Sequence, residues 1–191
     1  CTAYSQYILS EWDRMGDYVI FIHDDGPRHM KTSFFQMVLQ AMKFNTYHAD
    51  FLHLAHERYV QLRTPCLQNV YELVLQQPLT GLLTTYCCGH MVVSKQRIQQ
   101  QGREFYQRLD SVVRNALHTE MGGGVCGVDH MPCYIVEFIW HKIFGEPDLL
   151  PGRGADIRLP LYLRWEGGRR TMLPSPLKLT PYMARFGPRP V

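Results

Sequence analysis

The stretch His23-Asp24-Asp25-Gly26-Pro27 follows an apolar run, Tyr18 to Ile22, and presents an imidazole and two carboxylates side by side. Carboxylate oxygens with a histidine suit a hard or borderline divalent cation, so Asp24 and Asp25 are the metal-ligand candidates and Mn²⁺ or Mg²⁺ the expected ion. A metal there would neutralise the phosphates of a nucleotide and stabilise a diphosphate leaving group. Successive residues of extended backbone point to opposite faces, so one acid of the pair is expected to face the site. Asp-Asp-Gly-Pro is also good turn sequence without any ligand.

A second candidate is Glu137 with His141, in "VEFIWHKIF". Spacing of i and i+4 puts both on one face of a helix. A carboxylate on an otherwise apolar helix is costly to bury unless it is paired or used. Glu137 is therefore the candidate general base, with His141 as its partner. The alternative is a Glu–His pair that anchors the helix near its favourable C-terminal dipole. His90, after "YCCG", reads as a core histidine, and His48, His53 and His56 lack ligand spacing with a carboxylate. Asp129 and His130 lie in the glycine-rich "GGGVCGVDHMPC", whose composition suits a lid. There is no phosphate-cradling glycine motif, no G-x-S-x-G elbow and no C-x-x-C pair.

The elements that must carry these groups alternate. Helical spacing predicts a helix over residues 2–15, and Tyr18 to Ile22 a buried strand. "SFFQMVLQAMKF" predicts the next helix, with Ser33 as N-cap and Gln36 completing a capping box. Tyr59 to Leu62 reads as extended and ended by Pro65. Residues 82–93 predict one central strand interrupted by Gly89, after which Ser94 caps "KQRIQQQ". Helices follow from Arg103 to about His118 and over "YIVEFIWHKIF". Eight prolines in the 47 residues from Gly145 to Val191 exclude long helices there, and "IRLPLYLRW" reads as an edge strand or extended arm. Alternating strands and helices argue for an α/β layered domain, whose ligands lie beyond the carboxyl ends of its strands.

With 191 residues, 46% of them hydrophobic and 19% charged, the chain suits one globular domain rather than disorder. No apolar run approaches the roughly 20 residues that span a bilayer. The net charge of +3 is unevenly placed: eight Arg or Lys and four Asp or Glu fall between Gly145 and Val191. Arg103, Arg108 and Arg114 alternate with Glu104 and Asp110, a solvated face rather than a nucleic-acid patch. The six cysteines lack the density of a disulfide scaffold. Cys87 and Cys88 read as small hydrophobes, and Cys126 and Cys133 are spaced so that they could pair.

Three stretches, "YILSEWDRMGDYVIFIH", "CCGHMVVSKQRIQQQGREFYQRL" and "EFIWHKIFGE", resemble in that order an uncharacterised family of eukaryotic domains of unknown function, which look like divergent GT-A-type glycosyltransferases. The resemblance spans residues 1–147 and implies a GT-A-like layered domain with a mixed central sheet flanked by helices. It also implies N-terminal strands upstream of Cys1, and leaves 148–191 as a Pro/Gly-rich basic extension. His23, Glu137, Trp140 and His141 match the family blocks, as do Arg103 to Tyr106. Ser94 and Arg97 match in "VVSKQRI", and with His23 they are the implied substrate-binding residues. Asp24 and Asp25 depart from the family, which carries a small residue and another histidine there. The implied reaction is transfer of a sugar from a nucleotide-sugar donor to an acceptor hydroxyl, catalysed by Glu137 and His141. The competing class is a non-catalytic GT-A-like binding or scaffold domain that uses the basic tail. Metal-dependent hydrolysis by His23, Asp24 and Asp25 would need one more ligand, for which His90 is the candidate.

Overall fold

A computed structural model describes residues 2–116, 131–164 and 170–172. Helix α1 (Thr2–Ser10) leads into strand β1 (Tyr18–Phe21), then into the short helix α2 (Gly26–His29) and helix α3 (Thr32–Lys43). Strand β2 (Phe51–His53) is parallel to β1 but does not pair with it, because β5 (Met91–Ser94) lies antiparallel between them. This is a split β-α-β unit. The expectation of a layered α/β domain holds at this level. Among the described residues the central sheet has three strands, every neighbouring pair in it is antiparallel, and a GT-A-like fold is not defined by it.

The sheet's period-two alternation divides two apolar clusters. Val19, Phe21, Phe51, Met91 and Val93 face the larger one, built with α1 and with helices α4 (Pro65–Leu75), α6 (Arg103–Ala116), α7 (Met131–Glu137) and α8 (Trp140–Ile143). Leu52, Leu54 and Val92 face the other, built with Phe34, Val38 and Ala41 of α3. The register Phe21↔Met91 and His53↔Met91 aligns the carboxyl ends of β1 and β2 with the start of β5.

Several elements differ from the sequence reading, each for a local reason. Residues 82–93 are two strands in two sheets: β4 (Leu83–Tyr86) pairs with β3 (Arg58–Leu62), which also pairs in parallel with β6 (Arg170–Met172). The chain turns between β4 and β5 because Cys88 and Gly89 both take positive φ, 71° and 58°. Pro65 does not merely end β3. It starts α4, and Thr64 caps that helix by accepting the Leu67 N–H at 3.1 Å. Helix α3 begins at Thr32 with Lys31 as N-cap, not at Ser33, because the bridge Met30↔Ala55 holds the chain extended just before it. Helix α5 (Lys95–Gln99) is capped by Ser94 as expected, the hydroxyl accepting the Arg97 N–H.

Past Pro147 the chain stays packed: Leu150, Leu159 and Leu163 are buried, and Leu150 N–H bonds the Thr84 carbonyl. The segment expected as an edge strand instead closes into a 3-10 turn, Leu161–Leu163, set after Pro160. No helix among the described residues is long and apolar enough to cross a membrane. Cys126, Asp129 and His130 lie outside the described residues, as does the side chain of Cys133.

Candidate functional site

His23, Asp25 and His90 meet where β1 ends and β5 begins. Each offers one nitrogen or oxygen, and these atoms lie within 4.8 Å of one another. The His23 backbone N–H donates to His90 Nδ1 at 3.2 Å, which leaves the His90 proton on Nε2. That Nε2 is buried without a hydrogen-bond partner among the described residues and faces Asp25 Oδ1 at 4.0 Å. Asp25 Oδ2 is also held by His29 Nε2 at 3.0 Å, one helical turn on. His23 Nδ1 lies 3.8 Å from Glu137 Oε1. The Tyr4 ring packs on His23 with centroids 5.4 Å apart, and its hydroxyl is buried with no partner among the described residues.

Burial sets the charges of this group. It pushes the Glu137 carboxyl up to about 7, with the Asp25 charge adding to the effect. It holds His90 down at about 4, the neighbouring His23 acting in the same sense, and it lowers His23 as well. Burial, then the Glu137 charge, raises the Tyr4 phenol. At neutral pH His23 and His90 are therefore neutral, beside a Glu137 carboxyl poised between its two forms.

Room for His23 comes from Gly89. A Cβ there would sit 3.3 Å from His23 Nε2 and 3.4 Å from the Tyr4 ring, on a residue with φ of +58°. Gly89→Ala is expected to cost about 1–2 kcal/mol and to shift the His23 imidazole. Thermal unfolding with NMR titration of the histidines checks both; unchanged His23 signals would show that the ring does not rest on this gap.

The other expected site residues fall elsewhere. Asp24 is exposed and outside the ligand cluster, so Asp25 alone of the pair faces it. Glu137 and His141 are not on one continuous helix. The N–H groups of Phe138 and Ile139 bond the carbonyls three residues back, which tightens the end of α7 and separates it from α8. Glu137 ends α7 beside His23, while His141 is fully buried beside His53, and burial, then the Lys142 charge, lowers it to about 3. Among the described residues neither His141 nitrogen makes a well-formed hydrogen bond, although the Phe138 and Asp148 backbone lies close enough to act on it.

Ser94 and Arg97 sit toward the opposite end of the sheet. Six residue steps separate Asp17 from His23, roughly 20 Å of strand. Ser94 lines a polar cleft of about 690 Å³ with Asp17, Asp50 and Gln99, and its hydroxyl donates to Asp50. Arg97 pairs with the buried Glu146, which also binds Arg158.

Two members of the cluster were missed by the sequence reading, Tyr4 and His29, while His90, read mainly as a core histidine and also as the candidate extra ligand, joins the cluster. The i, i+4 spacing of Asp25 and His29 was a usable signal. Cys87 and Cys88 are not free thiols but form a disulfide between adjacent residues. Among the described residues no cysteine is free.

The fold and site together define a layered α/β domain with a histidine–carboxylate cluster at the end of a split β-α-β unit. The chain belongs to the family described as "Protein of unknown function (DUF3431)", whose model matches residues 55–152, just over half of its length. The matched stretch contains Cys87, Cys88, His90, Glu137 and His141, while His23, Asp25 and His29 lie upstream of it. No curated protein and no solved structure matches the chain.

As a test of fit to a metal, the buried, unpartnered His90 Nε2 beside Asp25 and His23 is the kind of atom an ion would satisfy. Two imidazoles and one carboxylate suit Mn²⁺ better than the all-oxygen shell of Mg²⁺. His90 joins such a set by giving up its 3.2 Å bond from His23 and moving its proton to Nδ1.

Proposed function

We propose that the strand-end cluster is a glycosyl-transfer site that takes a nucleotide-sugar donor and an acceptor hydroxyl. The observation that carries the reading is the convergence of His23, Asp25 and His90 beside Glu137, a carboxyl held near neutrality. Asp25, His23 and His90 would hold a divalent ion, whose chemistry when bound is to neutralise the donor diphosphate. Glu137 takes the proton of the acceptor hydroxyl as the glycosidic bond forms, a role that calls for a base with a pKa near the working pH. His23 Nδ1 borders that carboxylate at 3.8 Å, on the side where the ion would sit. Tyr4 walls the site with an aromatic face, and its free hydroxyl is available to a sugar oxygen. His141 takes no part in this scheme, and Ser94 and Arg97 are too far from Glu137 to touch the same reacting group. With water as acceptor the same groups would hydrolyse the donor, a reading favoured by the presence of His90 as the third ligand.

The experiment is thermal unfolding with Mn²⁺ and a panel of nucleoside diphosphates. One nucleotide with Mn²⁺ at about 100 times its Kd is expected to add about 2.7 kcal/mol, and Asp25→Asn to abolish the effect. Product analysis with the matching nucleotide sugar separates transfer from hydrolysis. Absence of stabilisation by every nucleotide would favour the binding or scaffold domain.

A further inference from the structure

A second ligand cluster lies beside the first and shares with it only His29, whose Nε2 holds Asp25; its other members have no role in the proposed transfer. His29, Glu57, Cys87 and Cys88 each bring one ligand atom, all within 4.8 Å of one another. We infer that these four residues form a thiol-dependent zinc site, which the Cys87–Cys88 disulfide closes and its reduction opens.

The backbone brings the four together from three separate segments. His29 ends α2, and its carbonyl accepts the His56 N–H at 2.9 Å, which fixes α2 to the start of β3. The Glu57 carbonyl accepts the Cys87 N–H at 3.0 Å, which fixes the end of β4 to the same start. Cys87 Sγ lies 3.7 Å from Glu57 Oε2. The backbone of His29, Glu57 and Cys87 is therefore tied together by hydrogen bonds, with Cys88 next in the chain, as a preorganised site requires. Cys87 is buried, while His29, Glu57 and Cys88 are half-buried, so the set has an open side.

The donors decide the ion. Two thiolates, an imidazole and a carboxylate make a four-coordinate set for Zn²⁺. In the disulfide form the sulfurs are bonded to each other and are poor ligands, which leaves a histidine and a glutamate alone. A dithiol reductant breaks the Cys87–Cys88 bond, delivers two electrons and two protons, and is itself oxidised to a disulfide. Zn²⁺ then displaces the two thiol protons. Tetrahedral bonds of about 2.3 Å would set the sulfurs roughly 3.8 Å apart, a separation that neighbouring side chains reach by rotating about their Cα–Cβ bonds.

The test uses Co²⁺ as a spectroscopic substitute for Zn²⁺ on the full chain, either oxidised or reduced with a dithiol that is then removed. The reduced protein is expected to bind one Co²⁺ with a thiolate charge-transfer band in the near ultraviolet, bleached by one equivalent of Zn²⁺. The oxidised protein is expected to lack that band. Cys87→Ser with Cys88→Ser should remove it, and Glu57→Gln or His29→Asn should weaken binding about 10- to 100-fold. The Glu57→Gln variant keeps the disulfide and serves if the serine variant does not fold. A reduced protein without the band overturns the inference. So does a band that persists in the serine variant, or an affinity unchanged in Glu57→Gln.

Discussion

Replacing Glu137 with glutamine is expected to make the protein more stable and less active at the same time. Its carboxyl is pushed up to about 7, first by burial and then by the Asp25 charge, and its nearest compensating group is His23 at 3.8 Å, beyond hydrogen-bond reach. In the unfolded chain a glutamate ionises near pH 4.3. The folded value is the higher one, so the stability tied to the neutral carboxyl is fully present below the unfolded pKa. It is lost as pH rises through about 7. At pH 8 the ionised group costs on the order of 3 kcal/mol. Glutamine keeps the shape and removes the charge. The variant should therefore unfold roughly 5–10 °C higher than wild type at pH 8 and at the same temperature near pH 4. Transferase turnover should fall by about 10²- to 10⁴-fold, while wild-type turnover rises with pH up to about 7. A melting difference independent of pH would show that the carboxyl is not held neutral by its surroundings. Wild-type turnover in the variant would remove Glu137 as the base. His90 and His141, lowered to about 4 and 3, work in the opposite direction. They contribute stability that is present above the ordinary histidine range and lost as pH falls through those values.

What the sequence made legible was local. The apolar run at β1, the Ser94 cap and the stripe of α6 each rest on neighbours within a turn or a strand, where side-chain pattern and backbone preference agree. The same reasoning failed where one residue admits two backbone outcomes. Pro65 ends an extended segment and also suits the first position of a helix, and the Thr64 cap decided for the helix. Cys88 carries no sign that it will take φ of 71°, so one interrupted strand became two strands in two sheets. The Glu137–His141 spacing is helical on paper, but a tightened turn at Phe138 and Ile139 rotates the two residues apart. The site suffers most from this limit. His23 and His90 are 67 residues apart in sequence, and their meeting depends on the β1–β5 register, which no local pattern reports.

Arg153→Ala is expected to be the most destabilising single change in the segment that follows Pro147. By composition that segment reads as an extension, yet Arg153 is only 3% exposed. Its Nη1 donates to the His53 carbonyl at 2.7 Å, and its backbone N–H donates to the Tyr86 hydroxyl at 2.9 Å. The guanidinium lies over the rings of Phe34, at 4.4 Å, and Tyr86, at 5.0 Å. Phe34 belongs to the apolar cluster on one face of the central sheet and Tyr86 to the cluster on the other, so one side chain ties both clusters to the end of β2. Alanine leaves the His53 carbonyl short of a donor and opens a space between two rings, each of which carries a cost. The expected loss is about 3–5 kcal/mol, read from the denaturant midpoint at unchanged slope. Arg153→Lys should recover only part of it, because a lysine keeps the charge but not the flat face that stacks on both rings. Removal of residues 148–191 should then prevent folding altogether. A loss under about 1 kcal/mol in Arg153→Ala, with a stable truncated chain, would instead make the body up to Pro147 self-sufficient and reduce the packed segment to an accessory.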